Sequence, residues 1–159
     1  MTRRRLQAGL TTVEFAIIGT VLMMVVFGVI EVGRALFVAN MLTEATRRGA
    51  RMAAVCPVGD TKFASVAVFD SGSGSSAVVA GLTTANVQLQ YLDINGNPIG
   101  SPALPANYAL IRYVSVSIVG FTQTMLIPTL VASIPMNGFT TTIPRESLGV
   151  PPVGAVTPC

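Results

Sequence analysis

The sequence predicts an α+β protein: a long N-terminal helix, whose first half is transmembrane, followed by a small antiparallel β-sheet domain. Three observations predict this architecture. An uncharged apolar run covers residues 15–30, no proline interrupts residues 31–55, and apolar and polar residues alternate in three later segments. An unbroken run of helix-forming residues favours one continuous helix, and strict alternation is typical of half-buried strands.

The composition indicates burial in a membrane or a filament rather than catalysis or nucleic-acid binding. Hydrophobic residues make up 51% of the chain and charged residues 11%, against about 25% charged in soluble domains. The absence of histidine removes the commonest general base and metal ligand. The net charge of +3 comes from the arginines at positions 3–5, not from a basic folded face. We therefore expect no enzyme, no cofactor, no metal site and no nucleic-acid partner.

Residues 10–30 predict the transmembrane half of the helix, because about 20 helical residues span a bilayer core. The arginines at positions 3–5 predict a cytoplasmic N-terminus and an extracytoplasmic remainder. Three other interpretations fit such a segment: a cleaved secretory signal peptide, a twin-arginine signal and a plain signal anchor. The apolar run is longer than a usual signal peptide's, and no small-residue cleavage site follows it.

Glu14 lies near the start of the apolar run, where a plain anchor gives it no purpose. A charge inside a membrane helix is costly and by default marks a function with a partner. No basic residue occurs between Leu10 and Gly33. The partner of Glu14 must therefore come from another chain, or from a group on this chain that translation alone does not create.

The N-terminal sequence, MTRRRLQAG followed by LTTVEFAIIGTVLMMVVF, resembles a type IV prepilin signal. The resemblance implies that residues 1–9 are a leader, which a prepilin peptidase removes between Gly9 and Leu10. Cleavage would leave Leu10 with an α-amino group that is cationic near neutral pH. Glu14 then occupies mature position five, where the family's glutamate pairs with the N-terminal amine of a neighbouring subunit.

Three further elements resemble the TadE/TadG-like minor pilins of tight-adherence pili: Val13–Ala16 (VEFA), Glu31–Arg34 (EVGR) and Ala45–Arg51 (ATRRGAR). This resemblance implies a structural subunit for pilus assembly or initiation, with other pilin subunits and the assembly platform as partners. It implies a single-pass protein of the bacterial inner membrane with a periplasmic C-terminal domain, able to enter a surface pilus. One departure is Leu10, where classical pilins favour phenylalanine. The alternative function is a signal-anchored envelope binding module.

Residues 31–56 are predicted as the extracytoplasmic half of the same helix. The spacings Glu31–Arg34 and Glu44–Arg48 suit ion pairs on a helix surface, and Pro57 is expected to end the helix. Small residues also recur at every fourth position, which allows close packing; they are Ala45, Gly49 and Ala53.

Residues 57–159 are predicted as a β-rich head domain. The alternating segments place strands at 87–91, 114–118 and 139–143, and Asn95-Gly96 is a strong turn signal. A short strand or helix is expected near 63–69, within a region otherwise read as loop. The apolar stretch 124–136 contains two prolines and is too short for a second span, so we expect a loop that covers the core or touches a neighbour.

Cys56 lies at the predicted end of the helix, and Cys159 is the last residue. Two thiols without histidine do not make a usual zinc site. A disulfide suits the predicted extracytoplasmic compartment and would tie the proline-rich tail to the base of the head. Two unrelated thiols are the alternative.

Overall fold

The structure, a computed structural model, describes residues 7–70, 72–126, 133–150 and 159. For residues 7–10 it describes the backbone alone. Its first element is the helix α1, Gln7–Val55, about 74 Å long at 1.5 Å per residue. The Cys56 N–H still bonds the Met52 carbonyl at 2.9 Å, but Pro57 has no N–H with which to continue the ladder.

The remaining elements are short, and β-strands dominate them. In chain order they are α2 (Lys62–Ala67), a 3₁₀ turn (Thr84–Asn86), β1 (Val87–Leu92), α3 (Pro105–Tyr108), β2 (Tyr113–Ile118), β3 (Thr122–Thr124), β4 (Ser133–Pro135) and β5 (Thr140–Pro144). A long N-terminal helix followed by small antiparallel sheets confirms the predicted α+β class.

The main sheet has the strand order β1-β2-β5 and is antiparallel throughout. Its central strand, β2, buries Val114, Val116 and Ile118 on the face that the alternation predicted. On the opposite face, the Thr142 hydroxyl bonds the Ser115 hydroxyl at 3.0 Å. The three predicted strands agree with the observed ones to within one residue at each end, because each has one apolar and one polar face.

The head packs on the outer half of α1, where the small residues allow close contact. A Cβ atom on Gly49 would lie 3.0 Å from the Ala67 Cβ atom and 3.2 Å from Val116 Cγ1. Ala45 and Ala53 are buried on the same stripe. The spacing that predicted close packing therefore serves contact with the chain's own α2 and β2.

The direction of the sheet relative to α1 gives the head two distinct ends. Beside the middle of the helix, the Thr46 and Thr141 hydroxyls lie 2.8 Å apart. Five residues later, the Glu146 N–H bonds the Ala54 carbonyl at 3.2 Å. Thus β5 runs the same way as α1, away from its apolar half. We call the end of the head nearest the apolar half the proximal end, and the other the distal end.

Residues 146–149 also close the C-terminal end of α1. The last carbonyls of a helix have no partner within it, and here the chain supplies them. The Leu148 N–H bonds the Ala54 carbonyl at 3.2 Å, and the Ser147 hydroxyl bonds the Val55 carbonyl at 3.2 Å. Gly149 follows with φ +76°, and an added Cβ would overlap Pro57.

The predicted turn at Asn95-Gly96 is present at the distal end. The Asp93 carboxylate accepts the Asn95 and Asn97 N–H groups, each at 2.8 Å, and Gly96 has φ +81°. The returning chain meets β1 only at the Leu92–Pro98 bridge and does not form a full strand. The main partner of β1 is β2, with which it pairs along its whole length.

The stretch 124–136, expected to be a loop, contributes instead to a small second sheet. Strands β3 and β4 pair antiparallel, with Gln123 opposite Ile134. Pro135 is tolerated because it closes a short edge strand. Residues 127–132 lie outside the described residues, as does most of the proline-rich tail. The expected short element near 63–69 is a helix, α2.

Candidate functional site

The apolar side chains in the first half of α1 are exposed on the surface of the protein. Their exposed fractions run from 43% at Val26 to 78% at Phe15. Among the described residues, this is the one helix long and apolar enough to cross a membrane. Contiguous apolar surface of this extent requires an apolar environment, either lipid or other helices.

Glu14 lies on this bare apolar surface and is itself exposed. Within the described residues it forms no ion pair or side-chain hydrogen bond. The next basic residue along the helix is Arg34, about 30 Å away along the axis. No cation of α1 beyond Glu14 can therefore neutralise this carboxylate.

Gly9 and Leu10, the residues of the predicted cleavage site, are helical, since α1 begins at Gln7 and continues through them. Leu10 precedes Glu14 by four residues, about 6 Å along the axis. A second helix displaced by this distance could place its Leu10 nitrogen at the height of Glu14. The cleavage itself and the pairing of Leu10 with Glu14 stay predictions.

At the end of the apolar run, Glu31 is 5% exposed and has two partners. Its Oε1 lies 2.8 Å from Arg34 Nη2, and its Oε2 accepts the Leu126 N–H at 3.1 Å. Arg34 Nη2 also donates to the Thr124 carbonyl. These four residues, which we call the clasp, fasten the end of β3 to α1.

The sequence predicted only the helical half of the clasp. Glu31 and Arg34 have the spacing of a surface ion pair, whereas Leu126 follows Glu31 by 95 positions. One signal was available: a carboxylate at the edge of an apolar run is buried only if hydrogen-bonded and paired. The second predicted pair, Glu44–Arg48, also forms, at 3.0 Å, but on the exposed surface.

A cleft of about 740 Å³ opens between the start of α2 and β1. Phe63, Tyr91 and Ile99 line it together with Asp60. Burial, and then the nearby charge of Asp60, raises the pKa of Tyr91 to about 12, so the phenol is neutral at physiological pH. No group of three or more metal-ligating side chains occurs in the part of the chain described. The cleft can accept a neutral apolar group.

Cys56 and Cys159 lie at disulfide distance, with 2.03 Å between the sulfur atoms and 5.7 Å between the Cα atoms. They lie at the distal end of α1, about 63 Å along the axis from Glu14. The structure thus separates the predicted site residues into two groups: Gly9, Leu10 and Glu14 at one end of the molecule, and the cysteines at the other.

Comparison with known proteins agrees with the N-terminal features. Residues 9–51 match the family model described as "TadE-like protein". The matched range begins at Gly9, includes Glu14 and both helical residues of the clasp, and ends before Cys56. No curated protein matches the chain, and no solved structure matches it.

Proposed function

Because residues 9–51 carry a TadE-like segment, which implies a pilin-like protein associated with tight-adherence pili, we propose that this chain is a minor pilin. It serves as a structural subunit in the assembly or initiation of the pilus and performs no catalysis. Its partners are other pilin subunits and the assembly platform.

The observation that carries this proposal is Glu14, exposed on an apolar helix without a partner in its own described surroundings. A carboxylate at the centre of a membrane helix costs about 2.5–3.5 kcal/mol on insertion scales, which is an upper bound for Glu14 near the start of the span. An α-amino group from a neighbouring subunit would offset this cost, because attraction between opposite charges is strong where water is excluded. The pairing also fixes the axial register of the two helices.

The required amine arises if a prepilin peptidase cleaves between Gly9 and Leu10. The same cut removes the arginines at positions 3–5, which hold the N-terminus on the cytoplasmic side. Before assembly, the protein resides in the bacterial inner membrane with its head in the periplasm. The predicted apolar span and the separation of the two ends support this placement.

Analysis of the mature N-terminus tests the proposal directly. In cells with an active prepilin peptidase, the purified protein should begin at Leu10, with the mass of residues 1–9 missing. A Gly9→Leu variant should keep its leader, and cells without the peptidase provide the matched control. Recovery of the intact leader from peptidase-active cells would count against the minor-pilin function.

The cleft beside Tyr91 favours a second candidate, a membrane-anchored module that binds an envelope ligand through the head. This function requires no cleavage and leaves Glu14 unexplained. Deletion of residues 2–9 separates the two functions: a minor pilin loses its processing site, whereas an anchored module retains ligand binding through its unchanged head.

A further inference from the structure

Four strands of the head carry no charged residue. Between Arg112 and Arg145 the sequence contains no aspartate, glutamate, lysine or arginine, and this interval includes the strands β2, β3, β4 and β5 in full. The facing stretch of α1, from Ala35 to Thr43, is also uncharged. The strands β2, β3, β4 and β5 and the stretch of α1 beside them are therefore without charge.

The clasp fixes one apolar side chain at this proximal end. The Leu126 N–H is held by Glu31, the residue directly after Ile30 and the apolar run. The Leu126 side chain is 71% exposed, although it belongs to the folded head. Phe27, one turn before Glu31 on the same face of α1, is exposed as well. Leu126 thus extends the bare apolar surface of α1 sideways, at the height where the predicted membrane span ends.

We propose that Leu126 is a second membrane contact, through which the head rests on the lipid surface where α1 emerges. The inference rests on the proposed function in one respect, the insertion of α1 into a membrane. Lipid is the occupant because the Leu126 surface adjoins the exposed apolar helix and Leu126 belongs to an uncharged segment of the head, residues 113–144. An apolar side chain at such a boundary is stabilised by entering the headgroup region.

The clasp is the device that positions this contact. Glu31 would be costly at a lipid boundary as a lone carboxylate. Arg34 neutralises it, and its second oxygen orients the Leu126 backbone. Glu31 and Arg34 therefore hold the end of β3 at a set height relative to the apolar run.

The chain contains no tryptophan, so one substitution gives an unambiguous fluorescent probe. The experiment uses the full chain reconstituted into phosphatidylcholine vesicles with brominated acyl chains, which quench indole on contact. The test variant is Leu126→Trp. The matched control is Ile94→Trp, which is similarly exposed at 65% but lies in the distal turn. The axial rise from Glu31 to Ala54 places that turn about 35 Å farther from the span.

Leu126→Trp should be quenched several-fold more strongly by the brominated lipid than Ile94→Trp, and its emission should lie at shorter wavelength. Equal quenching of the two variants overturns the proposal. So does quenching of Leu126→Trp that changes with protein density at constant bromine content, since this would indicate contact with a second copy.

A third probe separates this proposal from its premise. Phe27→Trp reports insertion of α1 itself. Strong quenching of Phe27→Trp without quenching of Leu126→Trp overturns only the membrane contact of the head. Absence of quenching at both positions overturns the membrane insertion on which the proposed function also rests.

The clasp is tested on the Leu126→Trp background. Glu31→Ala removes the acceptor of the residue 126 N–H and should reduce quenching towards the Ile94→Trp level. Glu31→Gln retains a carbonyl acceptor and should preserve more of the quenching than Glu31→Ala does. Unchanged quenching in Glu31→Ala would contradict the positioning role of the clasp.

Discussion

Two carboxylates on α1, Glu14 and Glu31, differ in burial and in whether they have partners. Glu31 is buried with an arginine and a backbone N–H as partners, both from its own chain. Glu14 is exposed among apolar side chains and has no such partner in the described residues. The first is satisfied by its own chain, whereas the described residues supply no charged partner for the second.

Replacing Glu14 with valine should therefore separate insertion from assembly. We expect Glu14→Val to insert into the membrane as well as the unaltered protein or better, since it removes a charge from the span. It should fail to co-purify with other pilins. The matched control is Glu44→Gln, which removes a carboxylate from the exposed part of the same helix. Normal pilus formation by Glu14→Val would argue against the pairing role.

Gly49 is a residue whose small size the packing requires. Because an added Cβ would lie within 3.0 Å of Ala67, Gly49→Val should destabilise the head by about 1–3 kcal/mol, typical of an overpacked core. Gly33→Val is the matched control, because nothing lies within 4 Å of a Cβ built there. Urea unfolding in detergent, followed by the circular dichroism of the sheet, measures the difference. Equal stability of the two variants would contradict the close contact between α1 and α2.

Asp93 should make the distal turn sensitive to acid. Backbone N–H donors, first that of Asn97, lower the pKa of its carboxyl below the usual value. A depressed folded-state pKa contributes stability that is present above the unfolded pKa and is lost as the pH falls through the folded one. Stability should therefore exceed that of Asp93→Asn near neutral pH, and the difference should shrink below about pH 4. Denaturant titrations at several pH values measure it, and a constant difference would contradict the assignment.

At the scale of elements, the long helix and the three strands of the main sheet could be predicted because their signals are local. The alternation around Val116 reports burial on one face and needs no knowledge of the partner strand. The β3–β4 pair could not be predicted, because Pro135 argues against a strand and the pairing depends on surrounding packing. After Asn95-Gly96 the chain pairs with β1 through the Leu92–Pro98 bridge alone, whose hydrogen bonds run from the Asp93 N–H to Asn97 and from the Ile99 N–H to Tyr91.

The residues of the candidate site also differ in whether the sequence could predict them. Glu14 could be predicted as a site residue because a charge within an apolar run is unusual even without structural information. The contact between Leu126 and Glu31 could not be predicted. Leu126 reaches Glu31 only after the head has folded, and a contact across 95 positions produces no periodic pattern in the sequence. The spacing of the small residues predicted close packing at Gly49. It did not predict that α2 and β2 form the contacting surface.

At the scale of the whole molecule, the cysteines close a loop with a sequence separation of 103. Chain-entropy estimates for a loop of this length give about 4.7 kcal/mol of stabilisation. The double variant Cys56→Ser/Cys159→Ser should therefore unfold at markedly lower denaturant concentration than the oxidised protein. The reduced, unaltered protein is the control and should resemble the double variant. Complete alkylation of both thiols in protein that has not been reduced would contradict the bridge.

In residues 57–70, 72–126 and 133–150, the described part of the head covers one side of α1. From Val38 onward that side is covered by the sheet and α2, while Arg47, Arg48 and Arg51 remain exposed elsewhere on the helix. Two copies cannot lie side by side at equal height along the covered side, because the head of one would occupy the volume of the other's helix. A neighbour on that side must be staggered, with its outer helix below the first head. The overhang therefore excludes unstaggered packing of two copies along the covered side.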